Sequence, residues 1–308
     1  MPVLNARPFL SESIGSILSQ SFRNFELIVV DNGSTDGSME FAASLPDPRI
    51  RVISEARPGT AHAINAGIAA STAPMLAVLD ADDIAAPERL FLQYSFMREN
   101  PDTILLGAGF SFIIGKEIVP VAPPLVRHSE IRQSLLQGFA PISAGSSMFR
   151  AAEAKSIGGH CLNGPAHDVD FFLRMSEIGK CRNLPVTLHY YRMHSGSSTA
   201  STTAIITEHK MFAVACAIAR AEGVPEPIFA DFHETWRKRP LLIKLRDRAR
   251  DLSGKAYRRA ILQRASGKRF SSGLGFLCSA ALNPGAAIWR IKRQLSVLTL
   301  QTPAARTQ

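Results

Sequence analysis

Long apolar runs are missing from this 308-residue sequence. No stretch supplies the roughly 18 to 20 uninterrupted apolar positions that a membrane-crossing helix needs, so no span is expected. Cysteine is scarce, and Cys161, Cys181, Cys216 and Cys278 form no CxxC pair. That spacing argues against a zinc site or a disulfide framework and for reduced, mostly buried thiols. Neither a P-loop nor a GxGxxG loop occurs, which disfavours kinases and dehydrogenases. The segment Met1-Pro2-Val3-Leu4-Asn5 has neither a charged n-region nor an apolar h-region, so no secretory signal is visible and a cytoplasmic location is the expectation.

What is present is an ordinary globular composition, 46% apolar and 20% charged, with a net charge of +9 that is unevenly placed. From Arg237 to Gln308 there are seventeen Lys and Arg against only Asp247 and Asp251. The tail therefore carries +15 and the first 236 residues about −6. Basic character belongs to an appendage, and such a surface suits nucleic acid, anionic lipid or plain solvent. The length predicts one large domain plus that appendage, with the boundary near residue 200: a domain over 1–200 and a basic helical region over 201–308.

Along the chain, Phe9, Leu10, Ile14, Ile17 and Leu18 fall on one helical face, and Phe25 to Val30 reads as a buried strand ending at Asp31. Asn32-Gly33-Ser34-Thr35-Asp36-Gly37 is a turn cluster able to cap a helix from about Ser38. A strand over 49–54, an Ala-rich helix over 59–71 and a strand from Met75 to Leu79 follow, the last ending at Asp80. A helix begins at Pro87. Beyond Thr103 the pattern is mixed, and from Thr202 only helical patterns remain, over 202–222, 240–264 and 287–297. Strands alternating with helices predict parallel strands in an α/β sandwich. In such sheets ligands bind beyond the carboxyl ends of the strands, so Asp31 and the acidic cluster Asp80 to Asp83 are expected to share one cleft.

Asp80-Ala81-Asp82-Asp83 puts three carboxylates within four residues, an arrangement whose mutual repulsion a divalent cation relieves. Helix capping by Asp82 or Asp83 is the competing reading. Asp31 and Asn32 suit ribose or base donors, though the segment is also a common turn. Asp168, in His167-Asp168-Val169-Asp170, is either an N-terminal helix carboxylate or a general base. Tyr190-Tyr191-Arg192-Met193-His194 offers Arg192 as a phosphate ligand and His194 as an imidazole ligand, although a single His is more often structural.

Together these segments resemble the family 2 glycosyltransferases, whose GT-A fold is a Rossmann-like nucleotide-binding sandwich. The likeness runs over Pro2 to Ala6, Ser16 to Ser21, Phe25 to Ser38, Asn65 to Ile68, Leu79 to Asp83 with Pro87 to Leu90, Asp168 to Arg174, and Asn183 to His194. It covers about the first 200 residues. It implies Asp80 and Asp82 as the metal-binding DxD pair for Mn²⁺ or Mg²⁺, His194 as a donor-phosphate or metal contact, and Asp168 as the base of an inverting transfer. Leu4, Asp31, Asn32, Asn65, Asp80 and Arg192 are the implied donor-binding set. The expected partners are a nucleotide-diphosphate sugar, UDP-linked, and a saccharide or lipid-linked acceptor in bacterial surface polysaccharide assembly. Loops after Pro141 and near Ser195 to Thr203 are candidates for the acceptor side.

Three departures accompany the likeness. The first β-strand is cut short, Leu4 replaces an aromatic that commonly flanks the base, and His167 replaces the Glu that usually precedes Asp168. A nucleotidyltransferase, or an inactive nucleotide- or nucleic-acid-binding protein, is the alternative. The amphipathic basic helices with Trp236 and Trp289 suit peripheral contact with an anionic membrane, a solvated helical face being the other reading.

Overall fold

In the computed structural model, which describes residues 1–160, 165–194, 203–265, 269–285 and 287–288, the first strand β1 is only Pro2–Val3. It leads into α1 (Arg7–Leu18), where Leu10, Ile14 and Ile17 recur at helical spacing and are buried. β2 (Leu27–Asp31), α2 (Ser38–Ser44), β3 (Ile50–Ser54) and α3 (Thr60–Ala70) follow. β1, β2 and β3 form a parallel sheet in that order, with Val3 opposite Asp31 and Val29 opposite Val52. Short as β1 is, it bonds to β2 along its length: Val30 donates to the Met1 carbonyl and Asn32 to the Val3 carbonyl, each at 2.9 Å.

The chain continues through β4 (Met75–Ala77), β5 (Ile84–Ala85), α4 (Arg89–Glu99), β6 (Thr103–Ile114), β7 (Glu117–Pro120), α5 (His128–Leu136), a 3₁₀ turn (Ala144–Ser146), β8 (Met148–Arg150), α6 (Ala151–Ser156), α7 (His167–Ile178) and β9 (Lys180–Arg192). A second sheet runs β4-β8-β6-β9-β5, with β7 paired to β6. Here the parallel expectation is corrected, because β4 pairs β8, β6 pairs β8 and β5 pairs β9 in antiparallel fashion. A crossover helix sets direction only between the strands it joins, and β4 bonds to a strand some seventy residues later in the chain. The capping alternative for Asp82 and Asp83 also falls: α4 starts at Arg89, with Glu88 at its N-cap and β5 in between.

Two compact units can be distinguished. The first comprises Met1–Ser111, Pro124–Arg192 and His209–Glu226. Its larger core gathers Ile64 and Ile68 of α3, Leu105 of β6, Ile131 and Leu135 of α5, Phe149 of β8 and Phe171 and Phe172 of α7. Ala213, Val214 and Ala217 of α8 (Thr203–Glu222) pack into the same cluster. A smaller cluster joins Val3, Leu10, Ile14 and Val29 to Leu79, Ala81 and Ala85. Of the cysteines, Cys181 and Cys216 are buried free thiols and Cys278 is an exposed one, while Cys161 lies outside the described residues.

The second unit comprises Phe112–Pro123, Met193–Glu208 and the described part of Pro227–Gln308. It contains α9 (Phe229–Arg237), α10 (Leu241–Ala265) and α11 (Arg269–Leu282). Arg239 lies over the Trp236 ring, 3.0 Å from its centroid, and bonds Asp247 at 2.8 Å. Of the helix expected over 287–297, positions 289–297 lie outside the described residues, as do Trp289 and the acceptor-side residues 195–202.

Candidate active site

Three groups of the sequence-predicted residues are positioned within the first unit. The first stands at the carboxyl ends of β1 and β2, where two turns are stitched together. Asn5, held at a φ of 51°, accepts from the Thr35 N–H through Oδ1 at 2.8 Å, and its own N–H donates to Ser34 Oγ. Asp36 accepts from the Arg7 N–H and from both the N–H and the hydroxyl of Ser38, capping α2. Asp31 accepts from the Ser34 N–H at 3.0 Å. Leu4 beside it is 58% exposed, an apolar side chain open to a ligand. Asn32 is buried and its amide is engaged by backbone: Nδ2 donates to the carbonyls of Glu55 and Arg57 at 2.9 and 2.7 Å, and Oδ1 accepts from Gly59 at 2.7 Å. Its visible role is to shape the loop that leads into α3.

The second group is the acidic turn after β4. Ala81 packs in the cluster that holds Val3 and Ala6, which sets this turn against the start of the chain although β4 belongs to the second sheet. Burial, followed by the charges of Asp83 and Asp82, raises the Asp80 pKa to about 7. Asp83 is fully buried and is not aimed outward: Oδ2 meets His189 Nε2 at 2.7 Å and Oδ1 accepts from the Arg192 N–H at 2.8 Å. Burial pushes these partners in opposite directions, the Asp83 carboxyl up and the His189 imidazole down, each away from its charged form. His189 Nδ1 lies 3.2 Å from Ser143 Oγ. Arg192 braces the turn through Nε to the Asp82 carbonyl at 2.8 Å, and its guanidinium bonds Glu12 of α1 and lies over Phe9. A Cβ at Gly145 would stand 2.8 Å from His189 Nε2 and 3.3 Å from Asp80 Oδ2, so only glycine lets this backbone lie against the acidic turn. Beneath it, the fully buried Arg89 donates to the carbonyls of Val78 and Ser147 and to Gln93.

The third group surrounds the start of α7. Asp168 stands in its first turn and accepts from the Val169 N–H at 2.9 Å. The helix is anchored by Asp170, which pairs with Arg174, while Arg174 donates to the carbonyls of Ile157 and Gly159. Asn65 of α3 takes both sides of one backbone residue, donating to the His160 carbonyl at 3.0 Å and accepting its N–H at 2.8 Å. His160 stacks on Phe171 at 4.2 Å, and its Nδ1 lies 2.9 Å from His167 Nδ1, so one imidazole donates and the other accepts. Asn65 is thus joined to the residue preceding Asp168 through this pair. His194 belongs to the second unit, two residues beyond the end of β9.

Burial lowers the pKa of both His160 and His167, His160 far below its ordinary value. The unfolded chain therefore takes up protons first as pH falls, and this contribution to stability is present above about 6.5 and lost below it. Asp80 and Asp83, raised in the fold, pull in the opposite direction. A comparison with His160→Phe isolates the histidine. Relative to that variant, the protein is expected to lose on the order of 1 to 2 kcal/mol between pH 7 and 5, read from urea unfolding at each pH. Parallel curves for the two would remove the assignment.

Sequence reasoning missed His189, Arg89, Gln93 and Gly145. The available signals were faint: a histidine flanked by apolar and aromatic residues in Leu188-His189-Tyr190-Tyr191, and an arginine one residue before a buried leucine in α4.

The sequence model of "Glycosyl transferase family 2" matches residues 1–157. An uncharacterized glycosyltransferase of Haemophilus influenzae is 30% identical over 214 residues, covering 64% of this chain and 65% of that protein. The putative glycosyltransferase EpsE of Bacillus subtilis is 30% identical over 209 residues, 63% of this chain and 72% of that one. Among solved structures, Staphylococcus aureus TarS 1–349, crystallised in complex with UDP-GlcNAc, superposes with a TM-score of 0.61 at 17% identity, over 92% of this chain and 90% of that one. That likeness shows the fold: an α/β architecture of the same kind.

Proposed function

The chain belongs to glycosyl transferase family 2, and from that premise we propose that its first unit moves a sugar from a UDP-linked donor to an acceptor hydroxyl with inversion. The acceptor is a saccharide or a lipid-linked saccharide, and the setting is bacterial surface polysaccharide assembly. The observation that carries the reading is the acidic turn after β4, where the half-buried Asp80 is followed by Asp82 and the buried Asp83, and where burial and those neighbours raise the Asp80 pKa to about 7. Carboxylates crowded in this way call for a cation.

The donor set fits Mn²⁺ or Mg²⁺. Both ions favour oxygen ligands and are commonly held by one or two carboxylates plus substrate phosphates. Among the described residues no three His, Cys, Asp or Glu side chains are grouped to hold a metal alone, which agrees with a site that the substrate completes. Asp80 and Asp82 are assigned to the metal, and Asp83 to the turn that carries them. When bound, the metal would offset charge growing on the leaving diphosphate. Asp31 and the exposed Leu4 are assigned to the nucleoside. Asn32 and Arg192 shape and brace that surface, because their polar groups already hold the 55–59 loop and the acidic turn. Asp168 takes the proton from the incoming hydroxyl, with Asn65 holding the backbone of His160, whose imidazole meets that of His167. His194 is left out of this assignment.

The test is hydrolysis of a panel of nucleotide sugars by the 308-residue chain with Mn²⁺ or Mg²⁺, beside a chelator control and Asp82→Ala. Release of nucleoside diphosphate that needs the metal and is lost in the variant is the expected result. Release of pyrophosphate instead would identify a nucleotidyltransferase. Absence of both turnover and donor binding would leave the non-enzymatic alternative.

A further inference from the structure

α11 is built inside out for a helix in water. Of its large apolar residues, Phe270, Leu274 and Leu277 are exposed, Phe270 by 84% and Leu277 by 69%, and they recur at helical spacing on one face. The face that meets α10 pairs Phe276 edge-on with Tyr257 at 5.5 Å and is otherwise built of small residues at its closest contacts. Ser253 Oγ donates to the Ser279 carbonyl at 2.7 Å and lies 3.0 Å from its hydroxyl. A Cβ at Gly275 would stand 2.9 Å from Ala260 Cβ and 3.4 Å from the Ala256 carbonyl, so glycine is what allows the helices to approach this closely. In an ordinary surface helix the large apolar side chains pack inward and the small polar ones face solvent. Contact through small residues and hydroxyls, with apolar bulk turned outward, is how helices pack in apolar surroundings.

Charge supplies the second observation. No charged residue occurs from Phe270 to Trp289, while α10 carries eight Lys and Arg against two Asp. On α10 the exposed Leu241, Leu242, Leu245 and Leu252 are interleaved with Lys244, Arg246, Arg248 and Arg250, all exposed. No described helix is long and apolar enough to cross a membrane.

We infer that the α10–α11 hairpin is a docking surface for an anionic lipid bilayer, the outward stripe of α11 entering the interface and the cations of α10 meeting the headgroups. This occupant satisfies both features at once. A nucleic acid would neutralise α10 and leave Phe270, Leu274 and Leu277 in water. A second copy of the chain would bring one basic α10 toward another. The inference stands on the second unit alone, independent of the donor chemistry proposed for the first.

Flotation of the full chain with vesicles of phosphatidylcholine, with and without phosphatidylglycerol, tests it. Recovery with the anionic vesicles is expected to exceed that with neutral ones by about tenfold or more, and Leu274→Glu with Leu277→Glu should abolish the difference. Both positions are exposed, so circular dichroism should show the fold retained. Equal recovery on the two vesicle types, or undiminished flotation of the double variant, overturns the inference. So does a double variant whose mass by light scattering drops while flotation is unchanged, which would make the stripe an interface between copies. Nucleotide-sugar hydrolysis in vesicle-free buffer reports on the first unit separately.

Discussion

Exchanging Asp168 for Asn is expected to lower kcat by about 10²- to 10⁴-fold while the donor KM changes by less than about threefold. The amide is the same size as the carboxylate, and its oxygen can still accept from the Val169 N–H, so the first turn of α7 keeps its shape. The anchors of that helix lie elsewhere, in the Asp170–Arg174 pair and the carbonyls of Ile157 and Gly159. What the substitution removes is a basic oxygen at neutral pH. A loss confined to kcat therefore identifies a proton acceptor used in the transition state, whereas a rise in KM alone would mean a binding role. A kcat within about threefold of the parent would end the assignment.

The second large effect is expected at Arg89, which no substrate need touch. Its guanidinium is wholly buried and donates to the carbonyls of Val78 and Ser147 and to the Gln93 side chain, which in turn donates to the Ser146 and Leu106 carbonyls. Burial lowers its pKa to about 10, an effect that Asp80 and Asp83 partly offset. Arg89→Ala leaves three acceptors without this donor, opens a cavity, and deprives Asp80 and Asp83 of their nearby cation. The expected destabilisation is about 3 to 5 kcal/mol, seen as a lower urea midpoint at unchanged m-value by circular dichroism. A change below about 1 kcal/mol would show that water or neighbouring groups take over those bonds. Arg89→Lys should fall between the two, since it keeps the charge and loses the planar fork.

Much of the first unit was legible in the sequence because local rules govern it. The apolar spacing from Leu10 to Ile17 marks α1, the run ending at Asp31 marks β2, and the run from Met75 marks the strand that delivers Asp80. Asp31 and Asp80 follow strands of two different sheets, so the rule for one parallel sheet does not itself relate them. Strand direction in the second sheet was not legible, because the partners of β4 and β5 are β8 and β9, far along the chain. Nor did periodicity mark α11, whose outward apolar stripe and inward serines reverse the usual pattern.

By itself, then, the sequence determined the family, the acidic turn after β4, the carboxylate that opens α7 and the basic charge of the last helices, since each is written in residue types at close spacing. Tertiary structure decided which of those polar groups hold the fold. It tied Asp83 to His189, Asn32 to the 55–59 loop and Arg192 to the acidic turn, because a buried polar group must find a partner wherever the chain brings one, and residues 106 positions apart carry no local sign of meeting.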